Sequence, residues 1–442
     1  MNKTDNHRVV ILADTHIGAE RRPWLRKLNG GGEINHIEYD QPAQEAMKFA
    51  ADHNATTIIA GDMYDRRTPT PSDYVRGSQL QPTLVVTGNH DIPATVSPDA
   101  LWNYETAAEG QAIAARGVMR GQVSTERIFR TIGKPIQIVG LPWPRSVDWP
   151  LNLPCTIESE ISQTREFVLN ALAEQCEQLD TSLPALLVGH AMVSYGNTTP
   201  DDPGLLLGKD VVLPYEALTS LPNIGGVYLG HVHDPSSPAY VGSTQPTDWG
   251  EWDQVKSFTV VDIVKAPPGE SSRKTSWRTQ SADMDSYRHR LVHTTQVNGW
   301  LYHTYKIPYE TSLKLVDCEF EYEYLFRAAA GGRPATGSSS WPSTFPESAN
   351  FRCTIKVPAN VSVDPAVIAN LRHTLDRLRV RTVEILIEHE AQYTARVVTP
   401  EPMATMRPVN AIEVWLEQRS TDSHIRTQVV EQATQIMGNS KE

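Results

Sequence analysis

Five times before residue 235, a run of four mostly apolar residues ends in a glycine or alanine followed at once by an acidic, amide or imidazole side chain. Val9–Leu12 leads into Ala13-Asp14-Thr15-His16, Thr57–Ala60 into Gly61-Asp62, and Leu84–Thr87 into Gly88-Asn89-His90-Asp91. Ala185–Val188 leads into Gly189-His190, and Gly226–Leu229 into Gly230-His231-Val232-His233. Apolar runs this short, without alternation, read as strands buried on both faces. Between the first two runs, Ala43, Ala46, Met47 and Ala50 recur at helical spacing within Gln41–His53, and Phe167, Leu169, Leu172 and Ala173 do so within 160–180. Strands alternating with helices predict a layered α/β core, and such cores place their sites at strand ends.

Composition limits what that site can serve. The chain has 442 residues, enough for one large domain and a smaller one. No apolar stretch approaches the roughly 20 residues a membrane-spanning helix needs. The leader MNKTDNHRVVIL lacks the apolar core of a secretory signal, so a cytoplasmic protein with no membrane partner is expected. Four cysteines, Cys155, Cys176, Cys318 and Cys353, form no C-x-x-C pair, which removes zinc-ribbon and thioredoxin-type readings. A net charge of −12 argues against nucleic-acid binding by global charge alone. It leaves a nuclease open, because bound divalent cations change the local balance.

The large domain is expected over 1–325, with a strand at Lys256–Val264, a Pro/Gly/Ser-rich loop or linker at 266–296, and renewed strand character at 300–325. Residues 326–349 read as a flexible connector by composition. A compact β-α-β unit follows within 350–400. Phe351, Cys353 and Ile355 alternate, Asp364-Pro365 opens a helix bearing Val367, Ile368, Leu371, Leu375 and Leu378, and Val383, Ile385 and Ile387 alternate again. The tail, 408–442, carries two apolar helical stripes around Trp415 and Val430, suited either to packing on the chain itself or to a partner.

The five motifs contain the donors of a dinuclear metal centre. Asp and His suit manganese, iron or zinc, and the absence of cysteine ligands argues against a structural zinc site. Asp14 and His16, two apart at a strand end, can grip one ion, and Asp62 is the natural bridge. Asn89, His190 and His231 would complete a second position, with His233 returning to the first. Two ions about 3.5–4 Å apart clamp phosphate oxygens and activate water, so the expected chemistry is phosphoester hydrolysis. His90, beside Asn89, is left for proton transfer to the leaving oxygen, with Asp91 to orient it.

The order D-x-H, G-D-x-x-D, G-N-H-D, G-H, G-H-x-H resembles the calcineurin-like metallophosphoesterase superfamily, which implies a β-sandwich core with helices on its outer faces. Within it the chain is most similar to the SbcD-type nuclease subunit of bacterial and phage DNA-repair complexes. Gly61-Asp62-Met63-Tyr64-Asp65, Gly189–Gly196 and the stretch Tyr240-Val241-Gly242-Ser243-Thr244-Gln245-Pro246-Thr247-Asp248-Trp249-Gly250-Glu251 resemble segments of that branch. The β-α-β unit at 350–400 falls where those nucleases carry a capping domain. The resemblance implies manganese-dependent 3′-5′ exonuclease action on DNA ends, endonuclease action on single strands, and an SbcC-type SMC-like ATPase partner, with a homodimer left open. The motif order covers the first 265 residues or so, and beyond them the likeness is one of layout. One departure is the basic loop Arg21, Arg22, Trp24, Arg26 and Lys27, suited to a DNA backbone and an exposed base or simply to solvent. Two rivals stand beside this reading: a phosphodiesterase or phosphoprotein phosphatase of the same superfamily, and a non-catalytic scaffold that recruits an ATPase.

Overall fold

The computed structural model describes residues 6–22, 36–91, 118–119, 123–128, 135–152, 156–195, 210–237, 239–266, 276–284, 287–310, 313, 315–322, 325, 350–359, 361–377 and 382–389. The chain divides into two compact units, 1–388 and 389–442, and every described residue but His389 lies in the first. The connector 326–349 and the tail 408–442 lie outside the described residues.

The apolar runs form the strands expected of them. In chain order the elements are β1 (His7–Leu12), α1 (His36–Asp52), β2 (Thr56–Ala60), α2 (Pro71–Leu80), β3 (Leu84–Val86), β4 (Val118–Met119), β5 (Ser124–Ile128) and β6 (Ile136–Leu141). There follow α3 (Ile157–Glu177), β7 (Ala185–His190), β8 (Met192–Ser194), β9 (Val212–Pro214), α4 (Tyr215–Thr219), β10 (Val227–Gly230) and β11 (Ser257–Lys265). The remainder are β12 (Ser276–Met284), β13 (Tyr287–Val297), β14 (Trp300–Pro308), β15 (Leu315–Glu321), β16 (Asn350–Val357), α5 (Pro365–Arg377) and β17 (Thr382–His389). One sheet has the order β12-β13-β14-β11-β1-β2-β3-β4 and a second the order β10-β7-β6-β5.

Side chains alternate between the two faces of each strand, so a run with no polar position must be covered on both sides. Val9, Ile11, Ile58 and Ala60 of the first sheet meet Ile138, Leu186, Val188 and Tyr228 of the second in one buried core. Their neighbours Val10, Leu12 and Ile59 face outward onto Ala43, Ala46 and Ala50 of α1 and Tyr74 and Leu80 of α2. On the far side, Val139, Leu187 and Leu229 are covered by Val168, Leu172 and Cys176 of α3. The architecture is therefore a β-sandwich with helices on both outer faces, the fold class expected from the motif order. Helix α2 starts on a reciprocal cap between Thr70 and Asp73, with proline in its first turn.

Two expectations change. The span 266–296, read as loop or linker, contains β12 and β13, which pair antiparallel at the edge of the large sheet. Edge strands are held by backbone bonds and tolerate polar side chains, so composition concealed them. Leu315–Glu321, placed with the large domain by the sequence, pairs in parallel with β16 in a separate sheet of order β15-β16-β17. Its apolar partner surface, Phe351, Cys353, Ile355 and Val357 against Val367 and Leu371, lies more than 30 residues on. The β-α-β pattern read over 350–390 is present as β16, α5 and β17.

Candidate metal centre

The parallel strands β1 and β2 stay in register beyond their ends. Asp14 N donates to Gly61 O, His16 N to Asp62 O and Ile17 N to Met63 O, each at 3.0 Å, so the first two motifs run side by side. Four of the expected ligands hold positive φ there: Asp14 at 50°, His16 at 43°, Asp62 at 51° and His231 at 95°. Non-glycine residues adopt this backbone at a cost of roughly 1–3 kcal/mol each, and such strain clusters at functional sites. Gly61 lets the turn close. Its φ is +85°, and a Cβ there would stand 2.1 Å from Nδ1 of His190.

Asp14, His16 and His233 bring one ligand atom each within 4.8 Å of one another, and Asp14, Asp62 and His190 form a second such group. In the first, Nε2 of His16 and Nε2 of His233 stand 3.1 Å apart. In the second, Nε2 of His190 lies 3.0 Å from Asn89 Oδ1 and Nδ1 of His231 lies 3.2 Å from the same oxygen. Asp62 Oδ2 is 3.4 Å from His190 Nε2 and 3.8 Å from His16 Nε2, between the two groups. Its other oxygen accepts from the His90 backbone N–H at 2.8 Å, which fixes the carboxylate plane.

The supporting contacts set tautomers. His190 Nδ1 donates to Ala60 O at 2.9 Å, leaving its Nε2 lone pair for the centre. His233 Nδ1 donates to Glu251 Oε1 at 2.9 Å with the same effect. Asp14 takes the His231 N–H on both oxygens, at 3.0 and 3.1 Å, so the first and last motifs orient one another.

The charge balance asks for cations. Burial lowers the pKa of His16, and burial with the neighbouring His190 pushes His231 down to about 3, so both are held as neutral imidazoles. Burial works the same way on His190, yet the charges of Asp62 and Asp14 outweigh it and lift that ring to about 9, so an ion bound at Nε2 would have to displace a proton there. Burial also opposes the charge on Asp62, but the His190 charge and hydrogen bond hold its carboxyl well below the usual range. A carboxylate so deeply buried among imidazoles, with an amide oxygen beside it, is the hard oxygen and nitrogen set that manganese, iron or zinc takes. Asp14, His16, Asp62 and His233 would hold one ion, and Asp62, Asn89, His190 and His231 the other.

The remaining expected residues divide. His90 stays beside the cluster: one of its ring nitrogens lies within 4.8 Å of ligand atoms of His16 and Asp62, while Nδ1 contacts Asp65 O at 2.7 Å. Asp91 does not orient that ring. Its buried carboxylate accepts from the backbone N–H groups of Gly88 at 2.9 Å, Tyr64 at 3.2 Å and Met63 at 3.3 Å, binding the second and third motif loops together. Burial and the nearby Asp62 charge raise its pKa to about 7.

Arg21 and Arg22, offered by the sequence as DNA contacts, are engaged inside the molecule. Arg21 donates to Asp73 at 2.9 and 2.6 Å. Arg22 donates through Nε and Nη2 to Asp65 Oδ1, the former at 2.8 Å, and through Nη1 to Thr247 O at 3.3 Å. Guanidinium groups paired in this way are less available to a phosphate. Trp24, Arg26 and Lys27 lie outside the described residues. Asp65 thereby acquires a role, standing between Arg22 and His16 Nδ1, the latter 3.6 Å away.

Sequence reasoning passed over Glu251 and Trp143 as site residues. Glu251 ends the stretch 240–251 and was read only as part of a motif. Trp143 follows β6, whose end carries no polar signal. Its ring centroid lies 4.7 Å from that of His231 and 5.8 Å from that of His190, backing both imidazoles.

Residues 7–235, just over half of the chain, match the family described as calcineurin-like phosphoesterase. No curated protein matches the chain. Among solved structures, a glutamine-dependent NAD+ synthetase from Acinetobacter baumannii aligns over 99% of this chain and 73% of its own at 9% identity. The TM-score of that alignment is 0.25, too low to bear on fold or function.

Proposed function

From the premise that this chain belongs to the calcineurin-like phosphoesterases, we propose that it is a manganese-dependent DNA nuclease of the SbcD type, cutting duplex ends 3′ to 5′ and single strands internally. The observation that carries this reading is the tie between the 240–251 segment and the metal centre. Glu251, the last residue of the stretch that resembles the nuclease branch, accepts from His233 Nδ1 at 2.9 Å, and Thr247 Oγ1 stands 2.8 Å from the same nitrogen. The β-α-β unit at 350–389 supports it by layout.

Two divalent ions would supply Lewis-acid polarisation of the phosphoester and of an attacking water. The protein's own groups do the rest. His190 and His233 are oriented through Nδ1 so that Nε2 is the atom offered to an ion, and Trp143 packs against His190 and His231. His90 is the proton donor to the leaving oxygen, its ring set by the Asp65 carbonyl. The sequence pattern of 408–442 is the proposed docking segment for an SMC-like ATPase.

The rival phosphodiesterase of small or protein-borne esters draws support from Arg21 and Arg22, whose charges are spent internally. Digestion of linear duplex DNA, with and without an SMC-like ATPase, is to be compared with hydrolysis of a chromogenic phosphodiester, each with manganese. Nuclease action on the duplex is expected; hydrolysis of the small ester alone would refute the DNA reading.

A further inference from the structure

The ligand His233 is held by more than its carboxylate partner. Glu251 Oε1 takes the His233 Nδ1 hydrogen and also the Thr247 hydroxyl at 2.8 Å. Glu251 Oε2 accepts from Thr247 N at 3.2 Å and from the buried Lys256 Nζ at 2.5 Å. Lys256 Nζ in turn reaches His233 O at 3.0 Å. Glu251 thus joins the His233 ring to Thr247 and Lys256 in one hydrogen-bonded group.

Glu251 sits on a single turn of 3-10 helix, Trp249–Glu251, capped by Asp248. That turn is too short to hold itself in place, because its few backbone bonds leave it no intrinsic stability. Its anchor is Trp249, 5% exposed, packed with Ala19, Tyr39 and Leu315. Over the Trp249 ring lies the guanidinium of Arg352, with Cζ 4.8 Å from the centroid, within the reach of a cation–π contact. Arg352 belongs to β16 and Leu315 to β15, so the small sheet grips the turn through both.

We propose that Arg352 is a positioning residue for the metal centre, acting through Trp249 and Glu251 to aim His233, so that the small sheet sets the affinity of the ion position His233 completes. The effect of Arg352 should fall mainly on that position, because His190 and His231 are supported by Ala60, Trp143 and Asp14 instead. The inference rests on the metal reading of the site and is independent of whether the substrate is DNA.

Manganese binding to the full chain tests it, followed by calorimetric titration and by the electron paramagnetic resonance signal of a coupled manganese pair. Wild type is expected to take two ions. Arg352→Gln should weaken one of them by about three- to thirtyfold, the range a cation–π contact can transmit, and lose the pair signal at limiting manganese. Arg352→Lys, which keeps the cation over the ring, should restore both. Glu251→Gln should weaken the same ion, by about 10- to 100-fold. Wild-type binding in Arg352→Gln would overturn the inference while leaving the metal centre intact. Equal weakening of both ions, or failure of Arg352→Lys to restore the weaker one, would show a merely structural role and overturn it too. Absence of manganese binding in wild type would instead remove the metal reading itself.

Discussion

His90 and Asn89 are neighbours with separate tasks, and the separation can be read from which atoms each one uses. Asn89 presents its side-chain oxygen to His190 and His231. His90 serves Asp62 through its backbone N–H and sets its ring by Nδ1 against Asp65 O, and in the proposed reaction that ring is the proton donor. Removing the ring therefore does not remove the support of the bridging carboxylate. His90→Ala is expected to keep both manganese ions while losing roughly 10²–10⁴-fold in turnover, the usual contribution of a general acid. Parallel measurement of metal stoichiometry and rate checks this; loss of an ion together with activity would make His90 a ligand. Asp91 lies one residue further and is chemically as suited to the task, yet its carboxylate is consumed by three backbone N–H groups. Sequence could name both residues but could not tell which way either side chain points.

Elements hold their positions around the centre through buried charge as well as apolar contact. Arg76 on α2 donates to both oxygens of Asp40 on α1, each at 2.6 Å, and to Glu20 after β1 at 2.7 and 3.2 Å. Burial lowers an arginine's affinity for its proton, but these carboxylates outweigh it and raise the Arg76 pKa. The arginine thus ties both helices of one outer layer to the loop that carries Asp14 and His16. Arg76→Met would strand several buried carboxylates, and a loss of about 3–5 kcal/mol is expected, measured by denaturant unfolding of the metal-free protein. A change below 1 kcal/mol would show that water reaches the cluster and that the charges are not truly buried. At this scale the sequence was legible where strands are doubly buried and opaque where they are not. β1, β2, β3, β7 and β10 announced themselves by unbroken apolar runs, whereas the hairpin β12–β13 sits at an edge and needs no such run.

The whole chain carries a net charge of −12, and buried carboxylates lie among imidazoles where the five motifs meet. Ligands gathered from loops up to 219 residues apart, Asp14 to His233, exist as a site only in the folded state. Metal binding is therefore coupled to folding. Manganese at 100 times its dissociation constant is expected to add about 2.7 kcal/mol of stability per ion over chelator-treated protein. Unfolding curves taken at several manganese concentrations would show it. Midpoints that do not move with manganese would mean that the ions bind the unfolded chain equally well or not at all.

Residue order alone pointed to a layered α/β core with polar groups at its strand ends, because double burial demands unbroken apolar runs and metal-ligand chemistry uses Asp, Asn and His after them; the sandwich was implied by the resemblance of the motif order. Nearness in space was the contribution of tertiary structure. It turned Arg21 and Arg22 inward onto Asp73 and Asp65, assigned Asp91 to the backbone, and brought Glu251 and Trp143 to the histidines. The physical reason is that a local pattern reports how a segment is buried, while a side chain's hydrogen-bond partner depends on what distant segment the fold sets beside it.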